Sequence, residues 1–152
     1  MGIPKKDKDR LNAMGPAANL ISKKLGTQVD DMVNAVDGTP AFTVGAEAAN
    51  VINVAVVVKD LNGSAVATKR KVYAWLSATA GAVVVTTAPT GGVAVGTDGT
   101  VISSPQANKE VNIITTAAGK FDLNVTDTGT PTFYLNIETQ GQVFSSPAIT
   151  FA

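Results

Sequence analysis

Two hydrophobic periods divide the chain. Leu11, Met14, Ala17, Ala18, Ile21 and Leu25 recur at spacings of three and four, a stripe that predicts helix. Gly15-Pro16 interrupts it. A second helix is expected to begin with Pro16 at its first position and to end at Gly26. Met32, Val33 and Val36 predict one more short turn before Asp37-Gly38-Thr39-Pro40 stops it. From Ala41 onward the period is two. Ile52, Val54, Val56 and Val58 share one strand face, with Val51, Asn53, Ala55, Val57 and Lys59 on the other. The same alternation sets Val111 with Ile113, Phe121 with Leu123 and Val125, and Phe133 with Leu135 and Ile137. Ala82–Thr87 reads as a short apolar strand. Gln142–Phe151 reads as a final strand broken at Pro147, which suits an edge or a bulge.

Turn chemistry falls between these runs. Asn62-Gly63, Asp98-Gly99, Ala118-Gly119, Thr128-Gly129 and Gln140-Gly141 recur about every ten residues. Asp98-Gly99, between Val93–Val95 and Thr100–Ile102, carries a strong two-residue hairpin signal. The rhythm predicts a mainly β fold, an antiparallel immunoglobulin-like sandwich of roughly seven to nine strands. A jelly roll or small barrel shares the same local pattern. The expected organisation is a helical arm over residues 1–45 and a β-domain over 46–152. Short helices are marginal alone in water, so the arm needs a surface: its own domain, a sister subunit or a larger partner. Its candidate contact residues are Leu11, Met14, Leu20, Ile21, Leu25, Met32 and Val33, with Lys5, Lys6, Lys8 and Arg10 facing acidic surface.

In "KVYAWL", residues 71–76, the alternation sets Val72, Ala74 and Leu76 against Lys71, Tyr73 and Trp75. The purely apolar set is the expected core. The amphipathic face is the expected contact surface, with Tyr73 and Trp75 as its partner-binding residues. The competing reading puts Trp75 at the buried centre of the sandwich.

Composition removes several kinds of chemistry. The chain has no cysteine and no histidine, which excludes disulfides, Ser-His and Cys-His nucleophilic catalysis, and the usual soft zinc ligands. No enzyme, metal or cofactor is expected. Twelve basic and twelve acidic residues cancel, so overall charge provides no attraction to nucleic acid or to an anionic membrane. The N-terminus lacks a signal-peptide apolar run, and Lys6 stands where myristoylation wants Ser or Thr. No stretch is long and apolar enough to span a bilayer. The expected place of synthesis is a cytoplasm. Asp60, Asp98 and Asp127 precede turns and are expected to bond their own backbone. The glycines of GGVAVGTDGT feed strands, unlike a phosphate-binding loop. Lys69-Arg70-Lys71 beside Tyr73 and Trp75 is the one stretch with the grammar of a single-stranded nucleic-acid site, though lysines on an exposed strand more often serve solubility.

Across about two-thirds of the chain, the stretches VVVKDLNGSAVATKRKVYAWLS, TGGVAVGTDGTVI, AAGKFDLNVTDTGTPTFYLNI and SSPAITFA resemble the immunoglobulin-like head proteins of bacteriophages. That resemblance implies a capsid decoration or cement protein that binds the assembled head and stiffens it. It implies the major capsid protein as partner, a homo-oligomer (a trimer by analogy with proteins at shell symmetry axes), and a place on the capsid exterior after assembly in a host cytoplasm. It carries no active site. The alternative is an adhesin-like or carbohydrate-binding module on a virion, in which Tyr73 and Trp75 stack on sugar rings.

Overall fold

The computed structural model describes residues 36–152, and the chain divides after Ala35. Residues 1–35 of the expected helical arm, with its contact residues from Lys5 to Val33, lie outside the described residues. Residues 36–152 contain no helix and ten strands. In chain order these are β1 (Ala41–Val44), β2 (Val51–Val57), β3 (Lys71–Ser77), β4 (Gly92–Val95), β5 (Thr100–Ser103), β6 (Glu110–Ile114), β7 (Lys120–Thr126), β8 (Thr132–Thr139), β9 (Gln142–Ser145) and β10 (Ile149–Thr150). They form two antiparallel sheets, ordered β1-β2-β7-β4 and β10-β8-β3-β6-β5, with β9 also on β8. The β-body therefore takes in Asp37–Gly45, which the sequence places in the arm: β1 pairs β2 from Ala41↔Val57 to Val44↔Val54.

The inner faces of both sheets close one core. Ile52, Val54, Val56 and Val58 meet Phe121, Leu123 and Val125 from the first sheet, against Val72, Ala74, Leu76, Val111, Ile113, Leu135 and Ile137 from the second. Alternation is readable here because burial of one face alone selects a register. A slip of one residue would turn each strand inside out. Burying a Val, Leu, Ile or Phe side chain contributes about 1.5–3 kcal/mol, so Val-rich strands with few aromatics still close a core.

Two sequence expectations give way to long-range packing. Asp98-Gly99 joins β4 to β5, but these strands lie in different sheets, so the dipeptide turns a corner between layers and closes no hairpin. The corner needs glycine: Gly99 has φ +93°, and a Cβ there would stand 2.8 Å from the Phe121 Cβ. Ala82–Thr87 is not a strand. It belongs to an arch that leaves β3 and crosses the outer face of the second sheet on its way to β4. The Val85 N–H donates to the Leu76 carbonyl at 2.9 Å, and Val83 is 87% exposed.

The last strand splits at Pro147, as its position suggests. Both β9 and β10 pair with β8, from Asn136↔Ser145 to Thr139↔Gln142 and at Phe133↔Ile149. Between them the Ser146 side chain takes over the ladder, accepting from the Leu135 N–H at 3.0 Å while its own N–H donates to the Leu135 carbonyl at 2.8 Å.

Candidate functional site

Tyr73 and Trp75 stand on the outer face of the second sheet, with Val72, Ala74 and Leu76 beneath them in the core. The face assignment made from alternation is the observed one. The two rings stack on each other, centroids 5.1 Å apart and planes 24° apart. Trp75 is only 8% exposed, yet it is not part of the inter-sheet core. The arch covers it from outside, and its indole N–H donates to the Ala82 carbonyl at 2.8 Å. A ring covered on one side by backbone and on the other by Tyr73 has little face left for a sugar or a base.

Asn136, fully buried on β8, fastens the arch. Its Oδ1 accepts from the Gly81 N–H and from the Ser145 hydroxyl, both at 2.7 Å. Its amide donates to the Ser77 hydroxyl at 2.7 Å. Ser77 in turn donates to the Thr79 carbonyl at 2.5 Å. One side chain thus ties β3, β9 and the arch together.

Beside Trp75, Glu110 is buried and accepts from the Gln106 amide at 2.9 Å. It also hydrogen bonds with Tyr73. Burial pushes the Tyr73 hydroxyl above the usual phenol range, and the charge and hydrogen bond of Glu110, then the charge of Glu138, push the same way. The folded state thus resists losing this proton more than the unfolded chain does. The associated stability is complete below the unfolded pKa, about pH 10, and is lost as pH rises through the higher folded value. Tyr73→Phe, which has no proton to lose, is therefore expected to unfold less steeply with pH above about 10 than wild type. Alkaline denaturation followed by circular dichroism checks this, and parallel pH profiles would contradict it.

The turn aspartates behave as their positions suggest. Asp60 Oδ1 accepts from the Asn62 and Ser64 N–H groups, both at 2.9 Å. Asp127 accepts from the Gly129 N–H at 2.7 Å and from the Thr90 N–H at 2.9 Å. The shallow depression lined by Thr87, Ala88, Thr90, Asp127, Thr130, Pro131 and Phe133 therefore has its one carboxylate already occupied. Asp98 instead gives its N–H to Asp122 Oδ1 at 2.6 Å. Among the described residues no three His, Cys, Asp or Glu side chains gather as metal ligands.

The chain joins the β-body through Asp37, a residue that the sequence reading passed over as a helix stop. Asp37 is buried, its carboxylate 1% exposed. Arg70 Nε donates to its Oδ1 at 2.7 Å, and the Thr139 hydroxyl donates to Oδ2. The Asp37 N–H donates to Gln140 Oε1 at 3.2 Å. Asp37 also bridges Asp60, and the Gly38 N–H donates to the Lys59 carbonyl at 2.6 Å. Gly38 is required there, since a Cβ would run into the Asp60 carbonyl. An aspartate next to glycine reads as a stop signal either way; only the contacts with Arg70 and Thr139, far off in sequence, make it a clamp. Val36 and Leu61, neighbours of the bridged pair, are 42% and 59% exposed.

No protein-family model matches the chain, and no curated protein matches it.

Proposed function

We propose that this protein is a non-enzymatic structural component of a bacteriophage head, a decoration protein that binds the assembled shell and stiffens it. The observation that carries this reading is the Asp37 clamp. It anchors the start of the two-sheet body, immediately after residues 1–35. The sequence resemblance supplies the shell as the partner, and homo-oligomerisation, with a trimer by analogy, belongs to the same reading.

The strand order supports an immunoglobulin-like domain. β1-β2-β7-β4 follows the order A-B-E-D, and β10-β8-β3-β6-β5 follows G-F-C with added C′-type strands. The chain departs from that plan in two ways. β4, in the D position, precedes the C′-type strands in sequence. The tryptophan of the C-like strand β3 lies outside the core, under the arch. With Trp75 covered, nothing on this face favours the carbohydrate-binding alternative.

Removal of the arm tests the tether. The deletion should stop at Ala35, because a longer one would take the clamp with it. The truncated protein is expected to fold with a cooperative melt and to bind purified shells of its virus at least roughly tenfold more weakly than the full chain, as loss of one of two linked contacts requires. Undiminished co-sedimentation with shells would contradict the tether.

A further inference from the structure

Charge is unevenly placed on the β-domain. Residues 36–152 contain six basic residues, Lys59, Lys69, Arg70, Lys71, Lys109 and Lys120. All except Lys109 stand at one end, where β2, β6 and β8 finish and β3 and β7 begin. The registers fix this: Lys120 lies opposite Val57 at the end of β2, and Lys71 opposite Ile114 at the end of β6. The Thr115 N–H donates to the Arg70 carbonyl, and the Thr116 N–H to the Lys120 carbonyl. The β6–β7 corner therefore joins the basic positions of both sheets into one pole.

The acids of this pole are mostly turned inward. Asp37 is taken up by Arg70 and Thr139. Asp60 is 6% exposed and spent on its own turn. Asp98 is half-buried, and Glu138 is exposed one step along the sheet, opposite Tyr73. Lys69, Lys71 and Lys120 are exposed and Lys59 half-exposed, and among the described residues none of the four forms an ion pair. Around them lie several small neutral side chains, including the exposed Ala65, Ala67, Thr68, Ala117 and Ala118. Leu61 and Val36 add exposed apolar surface at the same end.

We infer that this lysine pole is a docking surface for an acidic protein surface. Four cations that no internal acid neutralises attract carboxylates, and a bed of alanines lets a broad partner approach closely. Exposed leucine and valine beside the charge provide the apolar contact that a purely electrostatic site lacks. A nucleic acid fits less well. The aromatic that would stack on bases is covered, and Tyr73 is stacked and hydrogen bonded, so no ring face is open to a base. The inference rests on the reading of the protein as an interaction module and names the chemistry of its partner.

The test uses the full chain on immobilised poly-L-glutamate, with a single-stranded oligonucleotide of matched charge as the second probe. The pole variant combines Lys59→Gln, Lys69→Gln, Lys71→Gln and Lys120→Gln. A comparator removes charge away from the pole and from the arm's candidate contacts, by Lys23→Gln, Lys24→Gln and Lys109→Gln. Wild type is expected to bind polyglutamate more tightly than the oligonucleotide, and more weakly as salt rises. The pole variant should lose roughly tenfold or more in affinity, and the comparator clearly less. If the pole variant melts early, the double variant Lys69→Gln/Lys71→Gln, at two exposed positions, takes its place with a loss of roughly threefold expected. The inference is overturned by a pole variant that binds as wild type does, by a comparator that loses as much, by tighter binding to the oligonucleotide, or by no binding of wild type to polyglutamate. Shell binding is a separate readout: loss of polyglutamate binding with intact shell binding removes the pole and leaves the decoration reading standing.

Discussion

Asp37→Ala is expected to destabilise the protein by about 3–4 kcal/mol, the range for removing one partner of a buried ion pair. The carboxylate is 1% exposed and the Arg70 side chain 18% exposed, so the charge left behind is mostly screened from water. The Thr139 hydroxyl loses its acceptor in the same step. Asp37→Asn keeps the shape and should cost less, because it leaves one oxygen to accept a hydrogen bond. The effect also has a place. Asp37, Gly38 and their partners Lys59 and Asp60 should exchange amide hydrogens faster, while the β2–β7 ladder stays protected. Urea unfolding with site-resolved exchange reads both. A loss below about 1 kcal/mol would mean that the pair contributes no more than an exposed one, and the clamp would no longer account for where the arm joins.

Asn136→Ala should be nearly as damaging, at about 3 kcal/mol. The side chain is fully buried, and its removal takes the acceptor from the Gly81 N–H and the Ser145 hydroxyl and the donor from the Ser77 oxygen. Three hydrogen bonds are lost at once, each contributing about 1 kcal/mol. The visible consequence is at Trp75. With the arch released, the indole gains water, and its fluorescence should shift to the red in the native state, before any unfolding. An unshifted spectrum, even with lowered stability, would mean that the arch is held by something other than Asn136. Because Trp75 is the only tryptophan, the signal has one source.

These two residues mark the boundary of what local pattern reveals. The core strands were legible because alternation and burial of one face are the same information: Ile52, Val54, Val56 and Val58, or Val72, Ala74 and Leu76, can satisfy one register only. Tyr73 and Trp75 were legible as an outward pair by the same rule. What covers Trp75 was not, because the cover is an arch pinned by Asn136 from a strand about sixty positions away. Asp98-Gly99 carried a true turn signal, but whether a turn closes a hairpin or switches sheets depends on which strands flank it in space. Asp37 read as a helix stop because its partners Arg70 and Thr139 are distant in sequence. The basic pole was half visible as Lys69-Arg70-Lys71. Lys59 and Lys120 join it only through the antiparallel registers.

The two faces of the second sheet thus do different work. Its inner face closes the core, and its outer face is shielded by the arch and by a polar network centred on Asn136 and Glu110. The end of the domain is where the chain continues into residues 1–35 and where uncompensated lysines meet exposed Leu61 and Val36. The proposed partner contact therefore lies at that end, away from the aromatic face. This placement also makes the aromatic pair a reporter of folding: Trp75→Phe should lower stability through the lost bond to the Ala82 carbonyl while leaving shell binding intact.

The measurement that bears most directly on the central claim is quantitative mass spectrometry of purified virions, with this protein's copy number expressed relative to the major capsid subunit. A decoration protein is expected at high copy, in a fixed ratio set by the symmetry of the shell lattice. Absence from purified particles, or a handful of copies as in a tail or fibre, would contradict it.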